Sequence, residues 1–209
     1  MIEAVIFDLG RVYLPFNRRP MEEAAAKYLD INPAVVHLET REVLGALLEG
    51  KMRLLDLYSM ITHNLAGNKK AELALQAHLK VYNKTSAKPY PEMVNLVRAL
   101  REQVTVACFS NLELESAQAL QAAGVLDNFD RSFLSCEMHI KKPSLEAYKQ
   151  VRQYLKLEGN QILFFDDDDS YWQGALRDGW KAEKFTTYKD CIETLSHQDK
   201  FLHSSTTNT

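Results

Sequence analysis

The chain has 209 residues, enough for one large domain or a domain with an insertion. Apolar residues make up 46% and charged residues 25%, which is ordinary globular usage. A net charge of −3 argues against a nucleic-acid partner, and no apolar run approaches the ~20 residues of a membrane span. Cys108, Cys136 and Cys191 are odd in number and widely spaced, which fits neither a disulfide framework nor a zinc motif. Met1-Ile2-Glu3 runs directly into the first strand, so no signal peptide is expected, and a reducing cytoplasm is the expected home.

Ala4-Val5-Ile6-Phe7 is a continuous apolar run with no polar alternation. That is the pattern of a strand buried on both faces of a parallel sheet. Asp8 follows where the strand leaves the sheet, the edge at which open α/β folds bind ligands. Gly10 is expected to allow a sharp turn there. From about Pro15 to Lys88 the periodicity becomes helical. Pro20 opens a helix carrying Met21, Ala24, Ala25, Tyr28 and Leu29. Asn32-Pro33 starts a second, with Val36, Leu44, Leu47 and Leu48 on one side and Gly50 as its stop. Leu54, Leu57, Tyr58, Ile61 and Leu65 form a third stripe ended by Gly67, and Leu73, Ala77, Leu79 and Tyr82 a fourth. Four such helices make a small bundle.

Strand–helix alternation resumes at Pro89. Met93, Val94, Val97 and Leu100 form a helix face; Val104 to Phe109 is a strand run ending in Ser110-Asn111. A helix over Leu112 to Ala123 closes at Gly124. Phe133-Leu134 reads as a short strand, followed by Lys141-Lys142-Pro143 in a loop, with Ser144 as cap of the next helix. Ile162 to Phe165 is the third strong strand and ends in Asp166-Asp167-Asp168-Asp169. A short helix to Gly179, a last strand from Ala182 to Phe185 and a helical turn over Cys191 to Leu195 complete the pattern, and a frayed tail follows Phe201. The expected fold is α/β: a Rossmann-like three-layer parallel sheet, residues 1–14 and 89–209, interrupted by a helical bundle over residues 15–88.

Parallel strands bring Asp8, Ser110 and the acidic run to one edge. Two carboxylates about 4 Å apart repel by about 1–4 kcal/mol near a protein surface, so Asp8 beside Asp166 and Asp167 calls for a cation. A charge run is usually a solvated loop, and Asp168 and Asp169, further from the strand, are expected to be solvated. Hard oxygen ligands that leave room for water suit Mg²⁺. Ser110-Asn111 is either a helix cap or a phosphate contact, and Lys142 either a surface lysine or a charge that neutralises phosphate.

Phe7-Asp8-Leu9-Gly10, Phe109-Ser110-Asn111, Lys142-Pro143 and Phe164-Phe165-Asp166-Asp167, in this order across nearly the whole chain, resemble the four motifs of the haloacid dehalogenase (HAD) superfamily. The helical insertion resembles the cap of its dehalogenase and phosphatase members. Within the superfamily, the chain is similar to small bacterial sugar-phosphate phosphatases of the glucose-1-phosphate type. The resemblance implies Asp8 as nucleophile, Mg²⁺ held by Asp8, the Gly10 carbonyl and Asp167, and Asp166 in a secondary place facing Lys142. It implies Ser110 and Lys142 on the phosphoryl oxygens, and a cap that chooses the substrate. Asn111 is a further candidate for substrate binding. Two departures stand out. Gly10 occupies the position of the usual general acid, and Tyr171 stands where many relatives have Asn. Arg11 beside the nucleophile is open to two partners, a substrate anion or the acidic run. The reading that follows is a Mg²⁺-dependent phosphatase of a small phosphorylated metabolite. The alternatives are a binding or regulatory protein that has lost turnover and, third, a haloacid dehalogenase. Neither nucleic acid nor membrane is expected as a partner, and the chain is expected to be a monomer or weak homodimer.

Overall fold

The computed structural model describes residues 1–62 and 69–198; Leu65, Gly67 and the tail after Phe201 lie outside the described residues. In chain order the elements are β1 (Ala4–Phe7), α1 (Arg19–Leu29), α2 (Pro33–Leu48), α3 (Leu54–Ile61), α4 (Lys69–Thr85), α5 (Pro91–Arg101), β2 (Thr105–Ser110), α6 (Leu114–Ala122), β3 (Arg131–Leu134), α7 (Ser135–Met138), α8 (Leu145–Leu155), β4 (Ile162–Asp166), α9 (Asp169–Arg177), β5 (Lys181–Lys184) and α10 (Tyr188–Ser196). Among the described residues no helix is long and apolar enough to cross a membrane.

The five strands form one parallel sheet in the order β3-β2-β1-β4-β5. Alternate residues of each strand feed different apolar clusters. Val5, Phe7, Val106, Cys108, Leu163 and Phe165 pack with α5, α6 and α10. Ala4, Ile6, Ala107, Phe109, Ile162 and Phe164 pack with α8 and α9. Both faces are therefore dry, which is why these strands carry unbroken apolar runs. The middle strand is β1, with Phe7 level with Cys108 on one side and Phe165 on the other.

α1 to α4 enclose a third cluster of their own, built from Ala25, Leu29, Val36, Leu47, Leu54, Leu57, Tyr58 and Ala74. The helix ends follow the local chemistry. Asn32 caps α2 by accepting from the Ala34 N–H at 2.9 Å, and Asp30 closes α1 in a left-handed conformation. Ser144 stands at the N-cap of α8 without a side-chain cap bond. At the start of the chain the outcome differs from expectation. The left-handed residue of the turn after β1 is Arg11 (φ 60°), not Gly10, because the Arg11 N–H reaches forward to the Leu14 carbonyl at 2.7 Å while Leu9 O collects the Tyr13 and Leu14 N–H groups.

Gly50 does more than stop α2. It has φ +66°, and a Cβ there would lie 2.3 Å from the Cys136 carbonyl oxygen, so the bundle and the sheet domain meet backbone to backbone. Gly50→Ala combines a left-handed strain with that clash and should lower stability by about 1–3 kcal/mol, read as a fall in the urea midpoint at unchanged slope.

His78 is buried in the bundle, its Nδ1 2.7 Å from the Tyr58 hydroxyl. Burial lowers its pKa from 6.5 to about 4, with Glu113 opposing and Arg18 adding to the shift. The folded state thus favours the neutral ring. Its contribution is complete above pH 6.5 and is lost as the pH falls toward 4, up to about 3 kcal/mol. His78→Gln should flatten the dependence of thermal stability on pH between 6.5 and 4; an unchanged slope would count against this account.

Candidate active site

Asp8 lies one residue beyond β1 and is held level with the sheet edge by its N–H, which donates to Phe165 O at 2.9 Å. Ser110 ends β2 and Asp166 ends β4, so the parallel register itself brings the three together. Lys142 reaches the same point from the loop after β3. Its ammonium is fully enclosed and donates to Asp8 Oδ1 (2.8 Å), Phe109 O (2.8 Å) and Asp166 Oδ2 (2.5 Å). The rings of Phe109, Phe164 and Tyr171 surround it at 5.2, 5.2 and 4.9 Å.

An ammonium has three N–H donors, and all three are taken. Lys142 does not line the cavity in front of Asp8. The lysine orients Asp8 from behind and places a positive charge next to it. Burial opposes that charge, but Asp166 and Asp8 outweigh it and raise the pKa above the ordinary lysine value. Burial pushes the Asp166 carboxyl upward, with Lys142 pulling against it and Asp8 adding to it. The ammonium keeps its proton because it faces two acids.

Asn111 is tied to the lysine loop. Its Nδ2 donates to Lys142 O and its Oδ1 accepts the Lys142 N–H, both at 2.9 Å. Asn111 thus fixes the Lys142 peptide while also lining the cavity in front of Asp8, and its amide nitrogen has a second N–H beyond the one given to Lys142 O. Ser110 is buried, lines the cavity, and its hydroxyl bonds to no described residue. The loop after β2 is fixed by Ser135, whose Oγ accepts the Leu112 N–H at 3.0 Å; nothing in the sequence signals that role. Tyr171 serves Lys142 through its ring face, and its carbonyl accepts from the Tyr148 hydroxyl at 2.7 Å.

Asp8, Asp166 and Asp167 each present an oxygen, all within 4.8 Å of one another. Asp8 and Asp167 line the cavity; Asp166 is fully buried, with Oδ1 accepting the Asp168 N–H and Oδ2 taken by Lys142. Of the two partners open to Arg11, the acidic run is the one it meets here: Nε lies 2.9 Å from Asp167 Oδ2. Burial raises the Asp167 pKa, Arg11 opposes, and Asp8 adds to the rise. Three acids against Lys142 and Arg11 leave an excess negative charge where an anionic substrate would sit. A divalent cation with oxygen ligands fits this donor set, with Gly10 beside Asp8 on the cavity wall. Asp168 caps α9 through Ser170, and Asp169 pairs with Lys184 at 2.9 Å, so both stand outside the cluster.

A parallel α/β sheet with an acid after its central strand, an inserted helical bundle and a carboxylate–lysine cluster at the strand ends defines a hydrolase class. The family model for haloacid dehalogenase-like hydrolases matches residues 2–170, and the chain belongs to that family. No curated protein matches the sequence. Among solved structures the chain is similar to a HAD family enzyme of Bacteroides thetaiotaomicron in complex with magnesium and inorganic phosphate (TM-score 0.74, 17% identity, 93% of this chain and 99% of that chain). It is also similar to a predicted HAD-like family hydrolase of Porphyromonas gingivalis (TM-score 0.70, 18% identity, 95% and 99%). L-2-haloacid dehalogenase of Xanthobacter autotrophicus gives a TM-score of 0.60 at 20% identity over 94% and 83%. At these identities the likeness is one of fold.

If the cluster takes a cation, Mg²⁺ should raise the melting temperature in proportion to its occupancy of the native state. Asp167→Asn should remove most of that rise, Asp169→Asn should leave it, and Arg11→Ala should enlarge it by freeing Asp167. Equal Mg²⁺ shifts in wild type and Asp167→Asn would place the cation elsewhere.

Proposed function

We propose that the chain is a Mg²⁺-dependent phosphatase of a small phosphorylated metabolite of the sugar-phosphate type, working through an aspartyl-phosphate on Asp8. The observation that carries this reading is the pairing of Asp8 and Asp167 on one cavity wall with the buried Ser110. A carboxylate cluster of this density repels a phosphate ester on its own. When bound between Asp8 and Asp167, Mg²⁺ would supply the positive charge that offsets this repulsion and the charge developing on the phosphoryl oxygens.

Lys142 holds Asp8 Oδ1, and among the described residues Oδ2 has no hydrogen-bond donor. Oδ2 is therefore the attacking atom. Its bond to phosphorus forms as the ester P–O bond breaks, and the leaving group departs with the electron pair. Water then attacks phosphorus, the Asp8–phosphorus bond breaks, and inorganic phosphate leaves with the carboxylate restored. Ser110 donates to a phosphoryl oxygen in both steps. Gly10 offers no proton to the leaving group, so poor leaving groups depart slowly. The dehalogenase reading has less support, since a departing halide would face the same acidic wall.

Phenyl phosphate should be hydrolysed in the presence of Mg²⁺, and Asp8→Asn should lower the rate by roughly 10³-fold or more. Gly10→Asp is sterically mild, because Gly10 is not left-handed and a Cβ would meet Phe16 Cβ at 3.4 Å. It should raise kcat/KM for alkyl phosphates relative to phenyl phosphate by about tenfold or more. A wild-type alkyl rate already near 10⁴ M⁻¹s⁻¹ would show that another group supplies the proton.

A further inference from the structure

The cavity in front of Asp8 runs from the strand edge to a wall built from Leu44 and Leu48 of α2, Tyr82 of α4, Phe16, Arg18 and Glu113. Its volume is about 180 Å³. That equals roughly six water molecules and falls below the roughly 300–1,000 Å³ of sites for drug-sized ligands. Once a phosphoryl group is in place, little room remains for the leaving group.

The far wall has a distinct chemistry. Arg18 packs over the Phe16 ring at 5.7 Å and pairs with the buried Glu113. A guanidinium carries five N–H donors, yet among the described residues Glu113 is its one side-chain acid partner and no other acceptor is bonded to it. Tyr82 is 1% exposed and its hydroxyl has no hydrogen-bond partner among the described residues. Buried polar groups without partners are uncommon and costly. The formal charges of Arg18 and Glu113 cancel, and buried Glu22 behind Arg18 adds a further acid, so the wall has donors and acceptors but no excess positive charge. Such a wall suits hydroxyl groups, which both donate and accept, and gives no advantage to a second anionic group.

We propose that the leaving group is an uncharged polyol or open-chain sugar of about three or four carbons, bonded through its hydroxyls by Arg18, Glu113 and Tyr82. The inference rests on the phosphatase reading and deepens it. The cancelled charges of Glu113 and Arg18 give an acid-bearing ester no advantage, and Leu44 and Leu48 narrow the cavity where a hexose would extend.

The test compares kcat/KM with Mg²⁺ for glycerol 3-phosphate, erythrose 4-phosphate, 3-phosphoglycerate, glucose 6-phosphate and phenyl phosphate. The two small neutral esters should exceed both the acid-bearing and the hexose ester by tenfold or more. Glu113→Gln uncovers the Arg18 charge and should raise the ratio of 3-phosphoglycerate to glycerol 3-phosphate about tenfold. Tyr82→Phe should raise KM for glycerol 3-phosphate more than for phenyl phosphate. Equal or better use of the hexose or the acid-bearing ester by wild type, or an unmoved ratio in folded Glu113→Gln, overturns the proposal. If Glu113→Gln does not fold, the Tyr82→Phe split decides, and equal KM changes overturn it. Calorimetry on Asp8→Asn with Mg²⁺ ranks the same esters by binding alone. If no ester, phenyl phosphate included, is turned over by wild type, the phosphatase reading fails. The binding rank then still decides the present inference: tightest binding of the small neutral esters supports it, and any other rank, or no binding, overturns it.

Discussion

The site depends on one buried ammonium. Lys142 Nζ joins Asp8 beyond β1, the Phe109 carbonyl in β2 and Asp166 at the end of β4, and it arrives from the loop that follows β3 and α7. Four segments are thereby tied at one point. A buried charge is tolerated only when paired and fully hydrogen-bonded, and removing one partner of such a pair typically costs about 3–5 kcal/mol. The aromatic box of Phe109, Phe164 and Tyr171 closes the remaining directions. The same bonds that hold the sheet edge together leave Asp8 Oδ2 without a donor among the described residues.

The neighbouring residue extends this logic to the inserted bundle. Lys141 pairs with Glu49 at the end of α2 at 2.8 Å, one position from the lysine that organises the site. Arg18 with Glu113 and Arg53 with Glu115 (3.2 Å) fasten α1 and α3 to the start of α6. Gly50 lets the end of α2 touch the Cys136 backbone. These contacts set the distance between bundle and sheet, and that distance is the depth of the cavity.

Charge balance connects the two halves of the cavity. On the strand side, three acids exceed two bases and call for a cation; on the bundle side, Arg18 and Glu113 cancel. Burial opposes ionisation of Glu113, but Arg18 more than offsets it and holds its pKa below the ordinary carboxyl value.

Strand identity, the parallel sheet and the meeting of Asp8, Ser110 and Asp166 at one edge were legible in the sequence, because unbroken apolar runs demand burial on both faces and parallel strands share a direction. The family resemblance was legible for the same reason, since each motif sits directly at a strand end or in the loop beyond it. What Lys142, Asn111, Arg11 and Arg18 do was not. Lys142 and Asp8 are 134 residues apart, Asn111 and Lys142 are 31 apart, and the left-handed turn at Arg11 is set by hydrogen bonds that also fall on residues without turn character. A sequence states which groups are present at a strand end. Whether a donor still has a proton to give, or an amide an end to offer, depends on which partners already hold it, and only the packed structure decides that.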